Sequence, residues 1–316
     1  MIRNQELTKE VWIPHRADPY VCRHGDGTYY FTATVPKYDC IIIRQSRQLE
    51  ALADAGERVI WTRHEKGAMG AHIWAPELHY LQGKWYIYFA AGNAEDKWRI
   101  RPYVLSCQGQ NPFTDPWEEM GPMQCAEEDE FSFRAFSLDG TIFENKGDFY
   151  YVWAEKVGVG RMISNLYIAR MESPVKLATV QVLLSTPDYD WERRGFWVNE
   201  GPAVLKHGGK IFLTYSASDT GANYCMGMLS IDQTADVLDP GMWRKRRHPV
   251  LKTDKDKGIY GPGHNSFTVD NDGDAVVVFH ARTVAEIQGD PLNDPNRHAM
   301  IRNIVWGTDG EPKFLL

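Results

Sequence analysis

Asp18-Pro-Tyr-Val21, followed at Gly27 by Gly27-Thr-Tyr-Tyr30, is a phrase that the chain repeats four more times. The later copies read Ala75-Pro-Glu-Leu78 with Gly83-Lys-Trp-Tyr86, and Asp139-Gly-Thr-Ile142 with Gly147-Asp-Phe-Tyr150. Gly201-Pro-Ala-Val204 with Gly209-Lys-Ile-Phe212 and His264-Asn-Ser-Phe267 with Gly273-Asp-Ala-Val276 complete the set. Each copy is a small, acidic or polar residue, an apolar run, a glycine turn and a strand of aromatic or β-branched residues. The turn glycines are spaced by 56, 64, 62 and 64 residues. A strand-rich period of that length predicts an all-β, five-bladed β-propeller. In such a ring the start of every innermost strand faces one central axis, so Asp18, Asp139 and Glu200 are expected to meet there despite their separation in sequence.

Outward from the repeats, little else competes for the fold. Turn residues punctuate short apolar strands, and the 27 Gly and 17 Pro of the 316 residues fall mostly there. The only helical signal is a short turn near 48–55. No linker, low-complexity stretch or charge block divides the chain, so residues 1–316 are expected to form a single propeller domain. The segment 299–306 with the following Gly307-Thr-Asp-Gly310 reads as the last hairpin of the fifth blade. Long polar segments at 92–101 and 124–134 are expected to shape a binding site on the rigid scaffold.

Net charge is −7 with both signs interspersed, which disfavours nucleic acid and anionic membranes as partners. The longest aliphatic runs are too short to span a bilayer. Five cysteines are odd in number and form no C-x-x-C pair, so they are read as reduced and mostly buried. Reduced thiols, and a first stretch without an apolar signal region, predict a cytoplasmic location. Eleven Trp is a high count. Most are expected between blades, with a few stacking on a flat, weakly polar ligand such as a sugar ring.

Any one of Asp18, Asp139 and Glu200 could be an exposed turn carboxylate. Three acids at matching points of three repeats argue for shared chemistry. Carboxyl groups crowded round one axis suit glycoside hydrolysis, in which one acid donates a proton to the leaving oxygen and another, ionised, activates water or attacks carbon. Crowding separates their pKa values, because like charges close together resist ionising together.

The words Ala17-Asp-Pro-Tyr20, His72-Ile-Trp-Ala-Pro-Glu77, Ser137-Leu-Asp-Gly140, Trp197-Val-Asn-Glu-Gly-Pro202 and Tyr260-Gly-Pro-Gly-His-Asn265 resemble glycoside hydrolase family 43. The resemblance covers essentially the whole chain. It implies a five-bladed, inverting hydrolase acting on arabinose- or xylose-containing glycans. It implies Asp18 as general base, Glu200 as general acid, and Asp139 as the acid that tunes Glu200 and orients substrate. Tyr215-Ser-Ala-Ser218, Asn223-Tyr-Cys-Met-Gly227 and the segment 289–298 are similar to the α-L-arabinofuranosidase branch, including exo-acting enzymes on 1,5-linked arabinan. β-Xylosidase and endo-arabinanase stand as alternatives on the same fold. A retaining, fructan-cleaving propeller and a non-catalytic sugar-binding propeller stand further off.

By the same resemblance, His264 lies near the axis and holds either a water or a metal ion such as calcium, no cofactor being needed for the chemistry itself. Arg282 resembles the arginine that reaches the sugar and the carboxylates. Trp74 and Phe31, near the acid-bearing strand starts, are expected in the pocket wall. Other signals fail. Asp270-Asn-Asp-Gly-Asp274 begins like a calcium-binding loop, but Ala275 and Ala281 stand where Gly and Glu are needed. His72 and His79 are wrongly spaced for a zinc-binding helix.

Overall fold

The computed structural model describes residues 11–316. The first ten residues of the expected 1–316 domain lie outside the described residues. Among the described residues the strands form five antiparallel sheets in chain order. Their innermost strands are Ala17–Arg23, Ala71–Leu81, Ser137–Asn145, Asn199–His207 and Tyr260–Val269. These are the five repeats of the sequence, and the sheets are the five blades of a propeller. The turn glycines sit where the repeat placed them. Gly83, Gly147 and Gly209 close two-residue hairpins at φ 85°, 87° and 77°, a conformation that side chains with a Cβ seldom adopt. The helical signal near residue 50 is a single 3₁₀ turn, Glu50–Ala53.

Apolar packing lies between blades rather than within one centre. Trp12, Phe31 and Val278 join the first blade to the fifth; Tyr30, Ile73 and Trp85 join the first to the second. Further clusters around Tyr88 and Trp153, Leu138 and Leu213, and Phe212 and Phe279 fill the remaining three wedges. Burying each such side chain contributes roughly 1.5–3 kcal/mol. The ring is closed by main chain as well. Ile13 pairs with Ala299 in the fifth blade, and the Ala299 N–H donates to the Ile13 carbonyl at 2.9 Å. The hairpin expected at 299–310 is present as strands His298–Trp306 and Pro312–Phe314.

One irregularity recurs in all five blades and positions the site. Residues 18–19, 75–76, 139–140, 201–202 and 264–265 each oppose one residue of the second strand: Ala33, Phe89, Trp153, Tyr215 and Phe279. Each is a β-bulge, which bends the strand and re-aims its side chains. The first bulge residue is left-handed every time: Asp18 at φ 51°, Ala75 at 47°, Asp139 at 55°, Gly201 at 54° and His264 at 44°. For the four with a Cβ this costs of order 1–2 kcal/mol each, and such strain gathers at functional sites.

Candidate active site

The five bulges turn residues 18, 75, 139, 201 and 264 to the same axial level. One correction to the repeat follows. Glu200 is not at the matching point; Gly201 is, and Glu200 stands one residue before it. The missing side chain at Gly201 has two uses. Its N–H donates to Asp139 Oδ2 at 3.0 Å, and the His264 ring lies where a Cβ would meet it at 3.1 Å. Glu200 therefore reaches the site from beside the axis.

Asp18, Asp139, Glu200 and His264 line one cavity of about 750 Å³, within the size range of small-ligand sites. Asp18 and Asp139 are 8% and 7% exposed. The Thr34 hydroxyl donates to Asp18 Oδ2 at 2.6 Å and accepts from the Ala75 N–H at 2.7 Å, tying the first blade to the second. The other oxygen, Oδ1, lies 3.2 Å from His264 Nδ1 and 3.8 Å from an Arg297 guanidinium nitrogen. The Asp18 N–H donates to His280 Nδ1 at 3.1 Å, so that nitrogen carries no proton and its 3.3 Å approach to the carboxylate is not a hydrogen bond. Burial opposes ionisation of Asp18, but the His264 and Arg297 charges outweigh it and hold the carboxyl well below the usual range. His264 is itself pushed up against its burial by Asp18, Asp139 and Glu200, which favours its protonated form; burial pushes His280 down to about 4 and favours its neutral form.

The opposite side has the reverse character. Burial raises the Asp139 pKa to about 8, with Glu200 and Asp18 adding and His264 opposing. Glu200 is also raised by burial, against the pull of the Tyr224 hydroxyl, His264 and Lys156. Tyr224 donates to Glu200 Oε1 at 2.8 Å and stacks on His280 at 5.6 Å. The surroundings thus favour ionisation of Asp18 on one side and the protonated forms of Asp139 and Glu200 on the other.

Of the remaining sequence candidates, Trp74 lines the cavity, stacked on His72 at 4.4 Å with Trp98 6.3 Å away. Phe31 does not. It is wholly buried between the first and fifth blades, edge-on to Trp12 at 5.8 Å, because the second strand faces the inter-blade wedge. Arg282 is also misassigned. It is 1% exposed, donates to the carbonyls of Thr220, Pro291 and Asn296, and lies 3.3 Å from Asp294. It straps down the segment that ends in Arg297, and Arg297 is the arginine beside Asp18. Of the two long polar segments, 92–101 supplies Trp98 to the cavity and 124–134 supplies nothing.

The reading of His264 as a metal ligand meets a poor fit. Among the described residues no group of three or more His, Cys, Asp or Glu is arranged to hold an ion. His264 Nδ1 is engaged with Asp18 at 3.2 Å and faces Asp139 at 3.8 Å.

Sequence reasoning missed Arg297, Tyr224, Lys156, Phe136 and Trp98, which also line the cavity. Tyr224 and Arg297 lie inside motifs already singled out, 223–227 and 289–298. The adjacency of Arg297 to the fifth-blade strand at His298 was the available signal.

The glycosyl hydrolases family 43 model matches residues 9–312. A Streptomyces avermitilis protein named extracellular exo-α-(1→5)-L-arabinofuranosidase is 49% identical over 300 residues, covering 95% of this chain and 61% of that protein. A Streptomyces chartreusis protein of the same name is 50% identical over 280 residues, covering 88% and 84%. The chain thus spans about three fifths of the first of these relatives. The crystal structure of α-L-arabinofuranosidase from Lactobacillus brevis superposes with a TM-score of 0.90 at 47% identity, covering 96% of each chain. Both Streptomyces proteins are named extracellular, which overturns the cytoplasmic expectation. The thiols never carried that inference. Burial pushes Cys22 and Cys225 up to about 12 and Cys40 up to about 11, so they are unreactive thiols whatever the compartment.

Proposed function

The chain belongs to glycosyl hydrolases family 43, and on that premise we propose that it is an inverting, exo-acting α-L-arabinofuranosidase. It releases terminal arabinofuranosyl residues from arabinan or arabinose-containing oligosaccharides, outside the cell as its Streptomyces relatives are named to act. The observation that carries this reading is the polarity of the cavity. Asp18 is held ionised by His264 and Arg297, while Glu200 and Asp139 are held towards their protonated forms by burial.

In the proposed reaction a water between Asp18 and the anomeric carbon loses its proton to Asp18 as its oxygen bonds to carbon. The glycosidic C–O bond breaks, and Glu200 gives its proton to the departing oxygen. Asp139 and Glu200 are neighbours, and the pair resists carrying two negative charges, which keeps a proton within it for the leaving oxygen to take. Tyr224 fixes the Glu200 carboxyl, and Trp74 offers an apolar face to the sugar.

Proton NMR during hydrolysis of linear arabino-oligosaccharides tests the reading. The first sugar released should be arabinose of inverted anomeric configuration, with no early oligosaccharides. A retained anomer would make Asp18 a nucleophile. Early oligosaccharides would make the enzyme an endo-arabinanase, and turnover of xylosides alone would make it a β-xylosidase.

A further inference from the structure

A second cavity, of about 600 Å³, is lined by residues of the fourth and fifth blades and adjoins the active site. The two share a wall, since Tyr224 lines both and bonds Glu200 from that position. The second cavity is a built feature. Its Trp191 is stacked on Tyr189 and Tyr215, with its indole N–H donated to the Arg247 carbonyl at 3.0 Å. Thr253 holds the rim together: it donates to the Ala222 carbonyl at 2.6 Å and accepts from the Gly261 N–H at 2.9 Å.

Its charge is unlike that of the rest of the molecule. The chain carries a net −7, yet the lining includes Arg194, Lys252, Lys255 and His248 and no carboxylate. Among the described residues no hydrogen bond or ion pair engages the side chains of Arg194, Lys252 or Lys255. The nearby acids are committed elsewhere. Asp219 accepts from Gly221 and Asn223, and Asp254 from the backbone of Asp256 and Lys257. Uncommitted cations in a cavity whose wall also carries Trp191 and Tyr260 match a ligand with an apolar ring face and an anionic group. A sugar carboxylate has both features.

We propose that this cavity binds a hexuronate unit of the polysaccharide that carries the arabinosyl chain, so that the enzyme is directed to arabinan on an acidic backbone. The proposal rests on the glycosidase reading above and adds the backbone chemistry to it. Lys252 and Lys255 grip the carboxylate, and Tyr260 in the same wall supports the ring. The catalytic pocket, one residue's thickness away, then meets side chains of the same polymer at raised local concentration.

The test compares a neutral linear arabino-oligosaccharide with an arabinan borne on a uronic-acid backbone. Replacing both lysines, Lys252→Gln with Lys255→Gln, should raise KM on the acidic substrate about tenfold and leave its kcat unchanged. Both constants on the neutral substrate should stay within about twofold, which also shows the variant is folded. About 0.5 M salt should bring wild type on the acidic substrate close to the variant. A hexuronate trimer should bind wild type in calorimetry and not the variant. Equal constants for wild type and variant on the acidic substrate, or no trimer binding to wild type, would overturn the proposal. Failure of wild type to cleave the neutral substrate would instead overturn the glycosidase reading, leaving trimer binding as a separate measurement of this cavity.

Discussion

The two sides of the axial pocket are built by the same device and reach opposite ends. Asp18 and Asp139 both occupy the first position of a bulge, both at a left-handed φ, and both are almost fully buried. Burial alone would leave both protonated. On the first-blade side the His264 imidazolium and Arg297 face Asp18 and hold it ionised. On the other side burial raises Asp139, with Glu200 adding to it. Burial therefore sets the default for both acids, and the cations that the fifth blade and its loop bring to Asp18 reverse it on that side.

The largest test of this contrast removes the ionised side. Asp18→Asn should lower kcat by about 10⁴-fold on natural oligosaccharides and on activated aryl glycosides alike, because water must be activated whatever leaves. A near-wild-type rate in steady-state assays would end the assignment. Removal of the proton-bearing side should be selective. Glu200→Ala is expected to cost about 10³-fold on natural substrates and no more than about tenfold on an aryl glycoside with a good leaving group. Equal losses on the two substrates would take Glu200 out of the acid role.

The contrast was only half legible in the sequence. The blades were readable because glycine turns and small or acidic strand starts punctuate each repeat. The acids were readable because hydrolysis needs carboxyl groups and three repeats offered them. Their electrostatic setting was not readable, since it depends on side chains that arrive from elsewhere. Arg297 comes from a loop fastened by Arg282, and only the hydrogen bonds of Arg282 reveal which arginine is strap and which is neighbour. The one-residue offset of Glu200 was hidden because Glu200 and Gly201 are adjacent, and pattern alone cannot say which of them takes the left-handed bulge position. Phe31 misled because closeness in sequence to Asp18 says nothing about which side of the second strand a ring lies on.

A finer test moves each side separately along the pH axis. The proposed reaction needs Asp18 ionised, so the acid limb of kcat/KM should follow the Asp18 pKa. Arg297→Met removes a charge that lowers that pKa, so the acid limb should move to higher pH and the bell should narrow. The proposed reaction also needs Glu200 protonated, so the alkaline limb should follow the Glu200 pKa. Tyr224→Phe removes a hydrogen bond that favours the ionised form, so the alkaline limb should move to higher pH and the bell should widen. Each variant should lose about tenfold in kcat/KM at the optimum, and pH–rate profiles read both effects. If both variants narrowed the bell, the two sides would not be independent.

The smallest effect separates packing from charge on the Asp18 side. Phe31 belongs to the strand Tyr29–Thr34, whose last residue donates to Asp18, but its own ring meets only the inter-blade wedge, against Trp12 and below the Arg44 guanidinium. Phe31→Leu keeps an apolar side chain of similar reach and leaves a small void. It should cost about 1 kcal/mol in urea unfolding. Neither limb of the pH profile should move, and KM should stay within about twofold, because the void opens away from the cavity. Trp74→Leu should move both readouts, raising KM several-fold because its ring lines the cavity and also lowering unfolding stability because the ring is buried in the core. A shifted acid limb in Phe31→Leu would show that the depressed pKa of Asp18 depends on how tightly the first and fifth blades are packed, as well as on the cations that face it.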